Sequence, residues 1–319
     1  MGTVMDDVNR PGLAIPLVLV AMALFGLIDN FIRLAAATGG LWQFHLLRSV
    51  VALIVLGVVA AILRVRLRPL SARRVLARST LNCVAMVIYF GCLGLMPIAQ
   101  VVAGLFTAPL FVVIFSWAFW GEGVGPRRIA AVMIGFLGIV MVLRPDQSGI
   151  TTLTLLPVLS GATYALGNIA TRRWCAGEGT LTLLGGFFGC MLVAGAAGCV
   201  VIALIQPAVA PGADGFITRG WVWPSGLFGL MVLVQGVGSL IGVGLSIRAY
   251  QLADATLVAV FENTLLAFAT LWAAILWGEW PDAVALLGLA LIAGAGVIIA
   301  VRAPQPQAVR AVTLPVEGG

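Results

Sequence analysis

"PIAQVVAGLFTAPLFVVIFSWAFWGE" (97–122) lies over "DATLVAVFENTLLAFATLWAAILWGE" (254–279) without a gap, and both stretches end in Trp-Gly-Glu. Glu122 and Glu279 are 157 positions apart, about half of the 319 residues. Outside this core the match extends to residues 95–145 over 252–302. Earlier in each half a weaker match sets "LAIPLVLVAMALFG" (13–26) over "LTLLPVLSGATYALG" (153–167), pairing Pro16 with Pro157 and Gly26 with Gly167. The chain reads as one unit written twice.

The unit belongs in lipid. The sequence is 61% hydrophobic and 9% charged, where soluble domains carry about 25% charged residues. So few polar residues cannot cover a globular surface. The first apolar run is too long for a signal-peptide core and reads as the first membrane span. All 18 basic residues are Arg, and the formal net charge is +6. They cluster between apolar runs, as topology signals do, which argues against nucleic acid as a partner. The five Cys form no C-x-x-C and mostly sit in apolar runs, as small core residues do.

A helix rises ~1.5 Å per residue, so about 20 apolar residues cross a bilayer core. Ten segments qualify: 13–34, 41–63, 79–95, 98–120, 128–144, 152–173, 181–206, 223–250, 252–277 and 282–302. They lack the period-2 alternation of barrel strands and are about twice as long. The fold class expected is all-α integral membrane. Residues 1–12 form a cytoplasmic N-tail, 13–145 a first five-helix repeat, 152–302 a second, and 303–319 a Pro-rich disordered cytoplasmic C-tail.

Arg placement sets the orientation. Fourteen Arg fall on the side of both termini, and three (Arg33, Arg144, Arg219) on the other. Both termini are therefore expected in the cytoplasm. Five helices per half is an odd number, so the second half enters from the opposite face. Inverted repeats around a midplane site are a carrier architecture, because two such halves can exchange conformations and open one site to either face.

Several motifs resemble the drug/metabolite transporter superfamily, EamA type, over about residues 13–302. They are "ALFG" in span 1, "FHLLRSVVAL" (44–53) in span 2, the 97–122 stretch, "GFLGIVMVLRP" (135–145), and "FENTLLAFATLWAAILWGE" (261–279). The resemblance implies a ten-helix permease of the bacterial inner membrane. Its cargo would be an amino acid, nucleotide-sugar-like compound, drug or other small metabolite. It does not fix the substrate.

The chain has no G-x-x-x-x-G-K-[ST], so transport would be secondary: downhill, by exchange, or coupled to an ion such as the proton. No cofactor and no metal is expected. The partners expected are a small-molecule substrate and membrane lipid, with the chain as monomer or homodimer.

Ionisable residues at bilayer depth are costly and face cavities or partners. Glu262, with Asn263 beside it, lies near the middle of span 252–277. It is a candidate for proton coupling or for binding a cationic substrate group; the alternative is a fixed partner for an Arg. Leu105 occupies the equivalent place in the first half, so the repeat does not dictate this acid. Arg48 lies ~10 Å inward from the start of span 2. With Asp29 and His45 it would form one polar cluster in the outer half. Arg48 would then hold a carboxylate bidentately, or pair with Asp29 as a structural link or outer gate. His45, the single His, would relay a proton or simply sit at the interface.

Tyr164 and Asn168 share a helix face, as do Gln235 and Ser239. With Thr107 and Tyr89 they are candidates to line the same cavity, each weighed against an ordinary interhelical hydrogen bond. Glu122 and Glu279 read as span-end residues. Arg64–Arg78 reads as a solvated orientation signal near anionic lipid. Gly185/Gly189 and Gly238/Gly242 read as close-packing pairs, and Pro109 beside Thr107 as a bend. Two other classes fare worse. An intramembrane enzyme would need a nucleophile with its base or a metal motif, and neither G-x-S-x-G nor H-E-x-x-H occurs. A channel would need a charged ring or a subunit-built filter.

Overall fold

In lipid every backbone N–H and C=O must be satisfied within the protein, which favours helix for apolar runs of this length. The computed structural model describes residues 10–92, 101, 104–121, 123, 125–143 and 155–300. Most of the N-tail, the 303–319 tail, Pro97, Glu122 and Arg144 lie outside them.

The helices are α1 (Pro11–Asp29), α2 (Ile32–Thr38), α3 (Leu41–Ile62), α4 (Ala72–Cys92), α5 (Ala108–Trp120) and α6 (Pro126–Leu143). They continue as α7 (Leu155–Arg173), α8 (Thr180–Ile205), α9 (Gly226–Leu252), α10 (Ala255–Glu262), α11 (Thr264–Trp277) and α12 (Ala283–Ala300). Among the described residues there is no strand. Each of the ten segments read from the sequence contains helix.

Six helical stretches are long and apolar enough to cross a membrane: Pro11–Thr38, Leu41–Ile62, Ala72–Cys92, Thr180–Ile205, Gly226–Leu252 and Ala255–Trp277. Shorter apolar helices cover Ala108–Trp120, Ile129–Met141 and Ala283–Ala295. The composition of α7 differs, because one of its faces carries Ser160, Tyr164, Asn168 and Thr171 into the protein interior.

The repeated Trp-Gly-Glu has a conformational cause. Gly121 and Gly278 end α5 and α11 in the left-handed region, at φ 63° and 73°. Their N–H groups reach back to carbonyls of the last turn. Only glycine takes this conformation without strain.

Both matched stretches also break. The first is interrupted by a turn at Phe106–Thr107, before Pro109 in the first turn of α5, and the second at Asn263 between α10 and α11. In the gapless alignment Phe106 and Asn263 are equivalent. A third break, at Asn30–Phe31, separates α1 from α2. There the Asn30 side chain donates to Gly26 O at 2.7 Å and to Ala269 O at 3.1 Å, tying the end of α1 to α11.

The main packing partners are α3 with α8, α1 with α9, α4 with α7, and α6 with α12. Next come α1 with α11, α5 with α7, α3 with α9, and α4 with α8. Glycine permits the close crossings. A Cβ on Gly26 would stand 2.8 Å from the Ala269 backbone nitrogen, and one on Gly138 2.6 Å from the Gly288 oxygen. Gly238 and Gly242 face Ile28 and Phe25 of α1 in the same way. Gly185 and Gly189 do not: a Cβ would find ordinary contact at the first and open space at the second. On α8 the close approach falls to Gly195 and Gly198, against Leu46 and Trp42 of α3.

The two ends of the bundle are fastened differently. At one end Arg219 donates to the carbonyls of Ala36, Gly39 and Gly212, and Gln43 exchanges hydrogen bonds with the backbone of Val222. At the other end the Glu178 carboxylate accepts from the Leu70 and Ser71 N–H groups at 3.0 and 2.7 Å, just ahead of α4. Gln251 bonds the Glu178 carbonyl there, and Arg10 N–H bonds Leu252 O. Arg173 stacks over Trp120 at 4.9 Å.

The reading of Arg64–Arg78 as wholly solvated is corrected at one residue. The helix α4 starts at Ala72, so Arg78 lies almost two turns inside it and is buried.

Candidate functional site

The eleven candidate residues fall into two groups and two outliers. The inner group centres on Glu262, the last residue of α10, at the helix break. Its side chain is 7% exposed. The Tyr164 hydroxyl donates to Oε1 at 2.9 Å and the Tyr250 hydroxyl to Oε2 at 2.7 Å. Asn168 Nδ2 donates to the Tyr250 oxygen at 3.0 Å. One carboxyl group thus links α7, α9 and α10. The break is what lets this happen: the chain turns at Asn263, so Glu262 ends its helix facing the interior. Two hydroxyl donors satisfy a carboxylate that would otherwise be an orphan in an apolar core.

The other group lies where α1 ends. Gln235 Nε2 donates to Ile28 O at 2.7 Å and reaches Asp29 Oδ1 at 3.5 Å. Ser239 Oγ meets Gln235 Oε1 at 3.4 Å. The Arg48 guanidinium attracts the Asp29 carboxylate, and His45 and Tyr89 lie within the reach of these charges. Arg48 Cζ sits 5.6 Å from the Phe44 ring centre and 5.7 Å from that of Phe90, a cation–π arrangement. His45 is 1% exposed, neither ring nitrogen has a hydrogen-bond partner, and its ring meets Phe90 edge-on at 4.6 Å.

Gln235 and Tyr250 are both on α9, fifteen positions apart, so the groups are separated by ~22 Å along that helix. They are joined by a stripe. Gln235, Ser239, Gly242, Ser246 and Tyr250 recur at helical spacing on one buried face. Glu262 and Tyr250 of the inner group are buried, whereas Asp29 of the other group is exposed.

The outliers are Thr107 and Asn263. Thr107 Oγ1 donates to Gly104 O at 2.6 Å within its own turn and packs on Gly161 of α7. Asn263 is buried with its Oδ1 unpartnered, and its side chain stands opposite Gly135 of α6 rather than beside the tyrosines.

Three residues of these buried polar contacts are not among the sequence candidates. Tyr250 was legible in principle, since extending the Gln235–Ser239 spacing along α9 reaches it. Arg78 was hidden in a run of Arg. Glu178 sits in a short turn whose partners are distant in sequence. Among the described residues no cluster of His, Cys, Asp or Glu fits a metal ion, and the five Cys are free.

Residues 12–144 match the model of the EamA-like transporter family. The chain is similar to a riboflavin transporter of Rhizobium johnstonii, 28% identical over 71% of this chain and 69% of that protein. It is similar to an S-adenosylmethionine uptake transporter of Rickettsia felis, 26% identical over 65% of this chain and 64% of that carrier's length. A pseudopaline exporter of Pseudomonas aeruginosa is 25% identical over 86% of this chain and 92% of its own. A protein of known crystal structure covers 89% of this chain with a TM-score of 0.71 at 21% identity, a likeness of fold.

Proposed function

We propose that this chain, a member of the drug/metabolite transporter superfamily, is a secondary carrier that moves a small polar organic metabolite across the bacterial inner membrane by alternating access. It would work without cofactor or catalysis, by exchange or coupled to an ion such as the proton. Its architecture would be ten spans in two inverted five-helix repeats, with both termini cytoplasmic.

The observation that carries this reading is the Glu262 network. An acid held by two tyrosines at a helix break, in the interior of a multi-pass membrane protein, fits the discontinuous helices that carriers use at their sites. Exchanging the two halves supports the repeats. It turns the α1–α9 packing into that of α7 with α4, the equivalents of spans 1 with 8 and 6 with 3 being compared as spans 1·8 (α1–α9) and 3·6 (α4–α7). It likewise turns spans 1·9 (α1–α11) into spans 4·6 (α5–α7), and leaves spans 5·10 (α6–α12) paired with themselves.

Orientation has support of the same kind. Arg10, Arg64–Arg78, Arg127, Arg172, Arg173 and Arg248 belong to the end fastened by Glu178, and Arg219 to the opposite end. In this reading the inner group binds substrate and couples transport, while Asp29, His45, Arg48, Tyr89, Gln235 and Ser239 form an outer gate and recognition point.

The test is counterflow in proteoliposomes, with riboflavin, S-adenosylmethionine and the twenty protein amino acids as probes. A carrier accelerates and saturates entry of a labelled probe when the same compound is inside. Entry of a probe that neither saturates nor accelerates would fit a channel and remove the carrier reading.

A further inference from the structure

Arg78 is 3% exposed. Its Nε donates to Thr171 Oγ1 at 2.8 Å, and its Nη1 has no partner. A guanidinium carries five N–H donors and a full charge. Among the described residues no carboxylate pairs with it. The side chains within its electrostatic reach are Tyr164, Cys175 and Cys190, all neutral in their ordinary state. Arg48 differs, because Asp29 supplies it with a counter-charge. A buried cation without an anion is costly, so Arg78 marks a place where an anion is missing.

The missing anion has a neighbour of known sign. Tyr164, Asn168 and Thr171 recur at i, i+4 and i+7, one face of α7. Tyr164 holds Glu262 at one end of this face and Thr171 holds Arg78 at the other. The two anchors are ~10 Å apart along the helix, and the Tyr164 hydroxyl feels both charges. Glu262 bonds two hydroxyls and no cation. The stripe is therefore a separated pair: a carboxyl group lacking a cation and a guanidinium lacking an anion, with the Asn168 amide between.

We infer that this stripe is a zwitterion site, in which Arg78 takes the carboxylate of the substrate and Glu262 its ammonium group. The inference rests on the carrier reading above and narrows its substrate to compounds of amino-acid type. A solute with only one of the two charges leaves the other protein charge unpaired at low dielectric. The site discriminates by that penalty as much as by its attractions.

The experiment is a thermal-shift series on the purified full-length chain in detergent. The probes are the twenty protein amino acids, each with the amine left by its decarboxylation and the acid left by its deamination. A ligand of the folded state raises the melting temperature. At least one amino acid should raise it by several degrees where its own amine and acid, at equal concentration, do not. Arg78→Gln should abolish that shift. Arg78→Lys, which keeps the charge but loses the fork, should need at least tenfold more ligand; it also serves if Arg78→Gln does not fold.

A shift given equally by the amine or the acid, a shift unchanged in both Arg78 variants, or no shift from any amino acid overturns the inference. Counterflow separates this from the broader reading. If riboflavin or a single-charge solute exchanges while neither the amino acids nor S-adenosylmethionine, which keeps the carboxylate and ammonium of an amino acid, does so, the carrier stands and the zwitterion site falls. If no probe exchanges, the carrier reading falls with it.

Discussion

Tyr250→Phe removes one oxygen atom and nothing else, and its cost can be worked from the geometry. The hydroxyl donates at 2.7 Å to Glu262 Oε2 and accepts at 3.0 Å from Asn168 Nδ2. Both bonds lie in the interior, with Tyr250 at 1% and Asn168 at 4% exposure. Hydrogen bonds to charged groups contribute about 1.5–3 kcal/mol in soluble proteins. Interhelical bonds in membranes average about 0.6 and reach about 1.7 kcal/mol, because the unfolded chain in lipid finds other partners. Two bonds lost together should cost about 1–3 kcal/mol.

The informative quantity is the coupling. In a cycle of wild type, Tyr250→Phe, Glu262→Gln and the double variant, the pair should show an interaction of about 1 kcal/mol, well above the ~0.3–0.5 kcal/mol scatter of independent sites. Unfolding of helix in mixed detergent micelles, followed by circular dichroism, measures all four corners. Additivity within that scatter would mean the carboxyl and the hydroxyl do not act on each other, and the network at the helix break would lose its basis.

Other outcomes follow from single contacts. Gly26→Val should destabilise the fold by about 1–3 kcal/mol, since a Cβ there meets the Ala269 backbone at 2.8 Å; an unchanged melting temperature would remove the α1–α11 contact. Glu178→Ala frees the Leu70 and Ser71 N–H groups ahead of α4; a loss of about 0.5–2 kcal/mol, as for a helix cap, and faster tryptic cleavage within 64–74 should accompany it. Glu262→Gln should abolish uptake driven by a pH gradient while leaving exchange measurable, and undiminished pH-driven uptake would exclude this acid as the coupling group. Arg48→Ala should weaken an anionic or zwitterionic substrate at least tenfold in a folded protein, and an unaltered affinity would leave Arg48 a purely structural role.

The polar residues show where sequence reading reaches its limit. Tyr164 with Asn168, and Gln235 with Ser239, pair at helical spacing, because 3.6-residue periodicity is a local property. Which pair meets Glu262 depends on how α7, α9 and α10 cross, and that is set by close contacts such as Gly242 on Phe25. Whether all eleven candidates share one cavity therefore depends on distance along the helices. The ~22 Å between Gln235 and Tyr250 answers it with two groups.

The sequence alone determined the lipid environment, the position of the helical segments and the duplicated stretch ending in Trp-Gly-Glu. Each of these follows from local free energies: transfer of apolar side chains, hydrogen bonding within one helix, and the left-handed tolerance of glycine. The tertiary structure decided that α10 stops at Glu262, that Tyr250 completes its shell, and that Arg78 is buried rather than solvated. Those outcomes depend on partners such as Tyr164 and Thr171, about 100 residues from the groups they hold. No local rule carries that information, because the cost of an unpaired buried charge is set only when distant helices have closed around it.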